Sequence, residues 1–162
     1  MKVGVLSDTH LYDLIDAQRL ADKLLSGPFA DVDAILHAGD AVINGLDDCF
    51  APIPWYAVRG NMDHSLNDLP VSRIVKLASK QIGMVHGWGA AQGIEQRVAA
   101  HFMGQSIDVV IFGHSHQPYC RRIGSVLLFN PGSATDRRKA QRHTVGVLTL
   151  GEEVSGEIIP ID

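Results

Sequence analysis

Short apolar runs recur along this chain, and each ends at an aspartate, asparagine or histidine, in most cases beside a glycine. These runs constrain its fold more than any other feature. Val3 to Leu6, for example, runs into Asp8-Thr9-His10. The same place after later runs is taken by Gly39-Asp40, Gly60-Asn61, His86-Gly87 and Gly113-His114-Ser115-His116. Short apolar runs bounded by turn residues are typical of buried strands. We therefore expect several strand ends to bring these polar side chains to one edge of a sheet.

The apolar spacing predicts strand and helix alternation in the first half of the chain and mainly strands in the second. Predicted helices cover Asp16 to Leu25, a short segment around Leu46 to Phe50, and Gly93 to Met103. Predicted strands cover Val3 to Leu6, Val32 to His37, Trp55 to Val58, Val71 to Leu77, Gln81 to Val85, Ile107 to Phe112, Tyr119 to Ile123, Val126 to Phe129, Thr144 to Leu150 and Val154 to Ile159.

Helical spacing also predicts which side chains face inward. The first long helix is expected to bury Ile15, Leu20, Ala21, Leu24 and Leu25, and the second Ile94, Val98, Phe102 and Ala99. Val71 to Leu77 and Gln81 to Val85 are expected to form a hairpin. This pattern favours an α/β fold of two mixed sheets packed face to face with helices outside. At 162 residues and 46% hydrophobic content, residues 1–162 are expected to form a single domain.

Composition argues against several classes of function. The formal charge is −4, and the only basic cluster is Arg137, Arg138, Lys139 and Arg142, so bulk nucleic-acid binding is not expected. The two cysteines have no CxxC spacing, which argues against a disulfide framework. No apolar stretch approaches the roughly 20 residues of a membrane span, and the N-terminal run reaches Ser7-Asp8 too soon for a signal peptide. A cytoplasmic protein is expected.

The polar strand ends carry the side chains that a pair of divalent cations requires. Two cations about 3.5–4 Å apart need a shared ligand, and Asp40 is the candidate. Asp8 and His10 are separated by one residue, so in extended backbone they point to the same face, and His114 and His116 repeat that spacing. The mixture of imidazole, carboxylate and the amide of Asn61 favours transition metals over Ca or Mg. Mn is the first choice, and Ni, Fe, Co or Zn are possible.

Any one of these side chains alone would be explained by an ordinary structural role. Seven of them at converging strand ends would crowd charge at one place, and cations would relieve the strained ionisation states. His37 is open to two interpretations, because it could orient a ligand or could be a satisfied strand-end histidine.

The ordered motifs closely resemble the calcineurin-like metallophosphoesterase superfamily, and most nearly its compact bacterial and archaeal phosphodiesterase branch. The resemblance is carried by Ser7-Asp8-Thr9-His10, His37-Ala38-Gly39-Asp40, Val58-Arg59-Gly60-Asn61, Val85-His86-Gly87, Gly113-His114-Ser115-His116 and Asn130-Pro131-Gly132-Ser133. It extends from Val3 to at least Ser133. As an ordered set the motifs are highly specific, whereas each alone is weak.

The resemblance implies a site at the edge of a four-layer α-β-β-α sandwich. It implies that Asp8, His10 and His116 bind one metal, that Asn61, His86 and His114 bind a second, and that Asp40 bridges them. A hydroxide held between the cations would then attack phosphorus in line with the leaving oxygen. Among the ligands, Asp40, Asn61 and His86 are expected to be catalytic, and the expected substrate is a small-molecule phosphodiester.

Two departures from the family pattern bear on substrate. Met62 follows Asn61 where many members have a histidine, and a thioether cannot donate a proton. Unless Asp63, His64 or water substitutes, phosphodiesters with stabilised leaving groups are favoured over alkyl monoesters. After Ser133 the usual Pro-Arg pair is absent, and Arg137 is the tentative substrate-binding arginine.

Two other functions and one assembly state are open alternatives. The same fold serves as a non-catalytic protein-interaction scaffold in the retromer subunit, and fold alone does not determine function. A two-metal hydrolase acting on carbonyl carbon, such as an amidase or lactonase, uses the same kind of site. A homo-oligomer is also possible. Retention of all seven ligands favours the phosphodiesterase over the scaffold.

Overall fold

Ten β-strands and two α-helices make up the fold, and the computed structural model describes residues 1–162. The helices are α1 (Leu14–Leu25) and α2 (Ile94–His101), with one 3₁₀ turn at Asp48–Phe50. The strands are β1 (Lys2–Leu6), β2 (Ala34–His37), β3 (Trp55–Ala57), β4 (Ser72–Leu77), β5 (Lys80–Val85), β6 (Val109–Ile111), β7 (Tyr119–Ile123), β8 (Val126–Asn130), β9 (Thr144–Leu150) and β10 (Val154–Pro160).

The strands form two mixed sheets of five strands each. The first sheet has the order β10-β9-β1-β2-β3, and the second has the order β4-β5-β6-β8-β7. Strands β1, β2 and β3 are parallel, as are β5, β6 and β8, whereas β4, β7 and β9 pair antiparallel with their neighbours. The carboxyl ends of three parallel strands therefore meet at one edge of each sheet.

Three apolar clusters separate four layers, which confirms the predicted α-β-β-α sandwich. In β1 the side chains alternate: Val3 and Val5 pack between the two sheets, whereas Leu6 packs toward α1. The α1 face presents Leu20 and Leu24 to the first sheet. On the other side of the sandwich, the α2 face packs against the second sheet through Ile94 and Val98.

Several predicted boundaries and one predicted core residue are wrong. The helix predicted for Gly93 to Met103 ends at His101, and the strand predicted from Val32 begins at Ala34. The segment near Leu46 forms only a 3₁₀ turn. Ile15 is 66% exposed, because α1 begins at Leu14 after the Asp13 cap and its buried positions follow the spacing 17, 20, 21 and 24.

The hairpin of β4 and β5 is confirmed, with Leu77 paired to Lys80 across the turn. The inward face predicted for α2 is also confirmed, since Ile94, Val98 and Phe102 are buried. No helix combines the length and the apolar character that crossing a bilayer would require.

Candidate metal centre

The loops after β1 and β6 bring Asp8, His10 and His116 together across the two sheets. His10 Nε2 lies 3.3 Å from His116 Nε2, and the two imidazole rings stack with centroids 5.0 Å apart. His116 Nε2 lies 3.4 Å from Asp8 Oδ1. The ligand atoms of these three residues lie within 4.8 Å of one another, so they could hold one cation.

A second group consists of Asp8, Asp40 and His86, all of them buried. His86 Nε2 lies 3.3 Å from Asp40 Oδ2 and 3.8 Å from Asp8 Oδ1. Asp40 Oδ2 also lies 3.7 Å from His10 Nε2 in the first group. The carboxylates of Asp8 and Asp40 therefore each lie close to residues of both groups. The sequence had predicted a bridging position for Asp40 alone.

The remaining two candidates form a pair on the open side of the cluster. His114 Nδ1 lies 3.0 Å from Asn61 Oδ1, and neither residue belongs to the two compact groups. The His114 ring meets the His86 ring edge-on at a centroid distance of 5.3 Å. All seven predicted side chains thus lie in one region, five in direct contact and two beside them.

Backbone carbonyls determine which nitrogen of His86 and of His116 faces the cluster. His86 Nδ1 lies 2.7 Å from Ala38 O, and His116 Nδ1 lies within hydrogen-bond distance of Asp136 O. A carbonyl can only accept, so these Nδ1 atoms carry the hydrogen and donate it. The Nε2 atom of each ring is left with a lone pair directed at the carboxylates, as metal-binding histidines require.

The atoms that face one another in the cluster are mainly acceptors, and of these Asp8 Oδ1 accepts the His114 N–H at 3.1 Å. Asp8 Oδ1, Asp40 Oδ2 and the Nε2 atoms of His86 and His116 face one another. His86 Nε2 is buried and has no hydrogen-bond partner. A buried polar atom without a partner destabilises a fold, and a cation would satisfy it. The residues present therefore fit divalent metal ions.

The pKa shifts of His10 and Asp40 agree with this assignment, whereas those of Asp8 and His86 favour protonation in the absence of a cation. Burial acts to lower the pKa of His86, but the adjacent Asp40 and Asp8 carboxylates outweigh it and raise this pKa. Burial raises the pKa of Asp8 and lowers the pKa of His10. Burial also acts to raise the pKa of Asp40, but the adjacent His86 imidazole and the Met62 N–H outweigh it, and this pKa is about 2. Asp40 is therefore a carboxylate and His10 a neutral imidazole at neutral pH, which are the forms that bind metals.

A comparison with known protein families agrees with the geometry. Residues 1–153 match the family model described as the calcineurin-like phosphoesterase superfamily domain. The chain belongs to this superfamily. It is a metallophosphoesterase, and metal binding by its clustered aspartates and histidines is in keeping with that family.

Relatives of this metallophosphoesterase are found in archaea and, at the level of fold, in eukaryotes. A "Probable metallophosphoesterase" of Methanothermobacter thermautotrophicus is 35% identical over 161 residues, covering 98% of this chain and 92% of that protein. A phosphodiesterase of Methanocaldococcus jannaschii is 26% identical over 168 residues, covering 93% of this chain and 91% of the other. Vps29 of Entamoeba histolytica complexed with Zn²⁺ has a TM-score of 0.72 at 19% identity, and 100% of both chains is covered.

Strained backbone is concentrated at the metallophosphoesterase site. Five of the seven candidate ligands have left-handed backbone with φ between 40° and 66°: Asp8, His10, Asp40, His114 and His116. For residues other than glycine this conformation costs about 1–3 kcal/mol each. The extended backbone assumed from the spacing of Asp8 with His10 and of His114 with His116 is therefore wrong, because these residues lie in loops after the strands have ended.

Asp63 is a supporting residue whose structural role sequence reasoning missed. Its carboxylate is only 2% exposed and accepts backbone N–H groups from Asp40 at 2.8 Å, Gly60 at 2.7 Å and Val42 at 2.7 Å. It therefore ties the Asp40 loop to the loop that carries Asn61. The sequence suggested that Asp63 could replace a missing proton donor, but a carboxylate holding three N–H groups has no such freedom.

Two glycines allow the loops to approach as closely as they do. A Cβ on Gly60 would lie 2.1 Å from Asp40 Oδ1, and one on Gly113 would lie 1.8 Å from Ser7 Oγ and 2.6 Å from Asp8 Oδ2. No side chain fits at these distances. The predicted role of glycine beside the ligands is therefore one of close approach at these two positions.

His37 and Arg137 lie outside the ligand cluster. His37 is buried, and Gly39 N–H donates to its Nδ1 while its Nε2 lies 3.0 Å from Thr9 Oγ1. Burial lowers the pKa of His37 to about 4, so the neutral ring fixes the turn before Asp40. Arg137 is exposed and donates to Ala140 O, in the loop that contributes Asp136 O to His116.

Proposed function

We propose that this metallophosphoesterase hydrolyses a small phosphodiester with two divalent cations. Asp8, His10 and His116 would hold one cation, Asn61, His86 and His114 the other, and Asp40 would contact both. The observation that carries the proposal is a cluster of two carboxylates and three imidazoles beyond the carboxyl ends of β1, β2, β5 and β6, in which buried His86 Nε2 has no hydrogen-bond partner. Bound cations would supply a water of lowered pKa as nucleophile and neutralise charge on phosphate.

The chain's own residues define what the site can protonate. Met62 N–H donates to Asp40 Oδ1 at 2.7 Å, which orients that carboxylate, but the Met62 thioether cannot act as a general acid. Asp63 is occupied by backbone N–H groups. Met62 and Asp63 thus offer no acid for a poor leaving group, and unless His64 or water supplies the proton, this supports aryl or similarly stabilised phosphodiesters over alkyl monoesters.

Elemental analysis joined to a metal screen tests this function. We expect purified protein to bring about two equivalents of transition metal per chain, Mn²⁺ giving the highest activity toward bis(4-nitrophenyl) phosphate. Chelation should abolish hydrolysis and Mn²⁺ should restore it. Simple alkyl phosphomonoesters should react more slowly. Faster cleavage of the alkyl monoesters would contradict the substrate preference, and activity that survives exhaustive chelation would contradict the metal mechanism.

Arg137 is proposed to contact the substrate phosphate. Its neighbours Arg138 and Arg142 lie within ion-pair distance of Asp136 and Asp162, whereas no carboxylate lies within that distance of Arg137. Arg137→Ala is expected to raise KM for the aryl diester by about tenfold, since hydrogen bonds to charged groups contribute about 1.5 kcal/mol or more. Steady-state kinetics check it, with Arg142→Ala as the matched control. Unchanged KM and kcat in Arg137→Ala would exclude the contact.

A protein-interaction scaffold is the second candidate function, and the likeness to Vps29 supports it. Retention of all seven ligand-type side chains in one region supports the enzyme instead, because scaffold use relaxes the need for them. Metal-loaded protein that hydrolyses no phosphoester would favour the scaffold. Strong competition by inorganic phosphate would exclude an amidase or lactonase, whose transition state forms at carbon.

A further inference from the structure

Large apolar side chains are exposed at positions close in the chain to the candidate ligands. Three of them follow a candidate ligand within two residues: Tyr12, Met62 and Trp88. Tyr12 is the most exposed of these, at 74%. Exposed apolar groups that gather in one place mark a binding surface, whereas the same groups scattered over a protein need no explanation.

Tyr12 lines a shallow groove beside the ligand loops. The groove has a volume of about 320 Å³, and its apolar lining includes Tyr12, Leu14, Val42 and Ile43. Asn44 and Ser65 add polar groups to the lining. Tyr12 follows His10 by two residues and Val42 follows Asp40 by two, and two residues span at most about 7 Å. Both walls of the groove therefore begin within about 7 Å, along the backbone, of a candidate ligand.

Hydrogen bonds hold the two walls of the groove in place. The wall that carries Tyr12 is joined to the wall that carries Val42 by the bond from Leu11 N to Ala41 O at 3.2 Å. Val42 has φ of 73°, which is rare for a β-branched residue, and its N–H donates to Asp63 Oδ1 at 2.7 Å. The structure thus maintains an unfavourable backbone that presents an apolar wall next to Asp40.

We propose that this groove binds an aromatic ring of the substrate while its phosphoryl group occupies the metal centre. The inference rests on the proposed function and narrows it to phosphoesters with an aromatic substituent. A flat ring suits a shallow groove whose most exposed apolar lining residue, Tyr12, is itself aromatic and can stack on it. The polar groups of Asn44 and Ser65 suit a ring that carries a polar edge.

Calorimetric titration with two non-hydrolysable probes tests the groove apart from catalysis. Phenylphosphonate and methylphosphonate share the phosphoryl group and differ in the ring. Metal-loaded protein should bind phenylphosphonate about tenfold more tightly, since stacking and burial of one ring have this magnitude. Tyr12→Ala should reduce the preference to about twofold or less, whereas Tyr12→Phe should retain it. Met103→Ala, which removes an exposed apolar side chain elsewhere, should retain it too.

Two results would contradict ring binding by the groove, and both differ from failure of the proposed function. The first is a preference below about twofold in the unaltered protein, and the second is an unchanged preference in Tyr12→Ala. The proposed function fails separately, if metal-loaded protein leaves bis(4-nitrophenyl) phosphate intact while it still discriminates between the phosphonates. Normal hydrolysis of bis(4-nitrophenyl) phosphate without discrimination between the two phosphonates would contradict only the role of the groove.

Discussion

Replacing Asp40 by asparagine is expected to lower kcat/KM for an aryl phosphodiester by at least about 1000-fold, more than the 10–100-fold that loss of an outer metal partner costs. Asp40 Oδ2 lies 3.3 Å from His86 Nε2 and 3.7 Å from His10 Nε2, so its charge serves both groups. The amide is neutral and offers a single acceptor atom. Both cations should bind more weakly, which elemental analysis and steady-state kinetics on the same preparation would measure.

Asp68→Asn is the matched control for this variant. Asp68 is exposed and lies in the loop after Asn61, so the same chemical change there should leave kcat/KM and metal content unaltered. Near-normal turnover in Asp40→Asn, with two metals still bound, would exclude a bridging role for Asp40. Loss of one metal alone would show that Asp40 serves a single cation.

Replacing Asp63 by asparagine is expected to lower the free energy of unfolding by about 3 kcal/mol in metal-free protein. One carboxylate oxygen accepts from Asp40 and Gly60 and the other from Val42. An amide group has only one acceptor, so its NH₂ must face a backbone N–H, and at least one buried donor loses its partner. Metal affinity should also fall about 10–100-fold, because the Asp40 and Asn61 loops lose their connection.

Urea denaturation of chelated protein and metal titration would measure these two effects. Asp68→Asn again supplies the control, and it should change neither quantity by more than about 0.5 kcal/mol, as is usual for surface substitutions. If Asp63 instead donated a proton in catalysis, Asp63→Asn would keep its stability and metal affinity and would lose only the acid-dependent part of its pH–rate profile. That outcome would contradict the positioning role.

The sequence was informative wherever the signal is local. The 3.6-residue period predicted the inward face of α2, and two apolar runs with a short polar link predicted the hairpin of β4 and β5. The error at Ile15 shows the limit of this approach, because an apolar side chain just after a helix cap satisfies the pattern and still faces solvent. Boundaries were less certain than elements, since adjacent residues with similar propensities compete at each end.

The sequence by itself determined the fold class and the region where the seven candidate ligands meet, because strands that run parallel place their carboxyl ends at one edge. Only the tertiary structure decided that Asn61 and His114 pair beside the cluster, that carbonyls of Ala38 and Asp136 orient two histidines, and that Asp63 joins two loops. These contacts join residues 20 to 53 positions apart. Sheet order and register create them, and no local pattern encodes a partner at that distance.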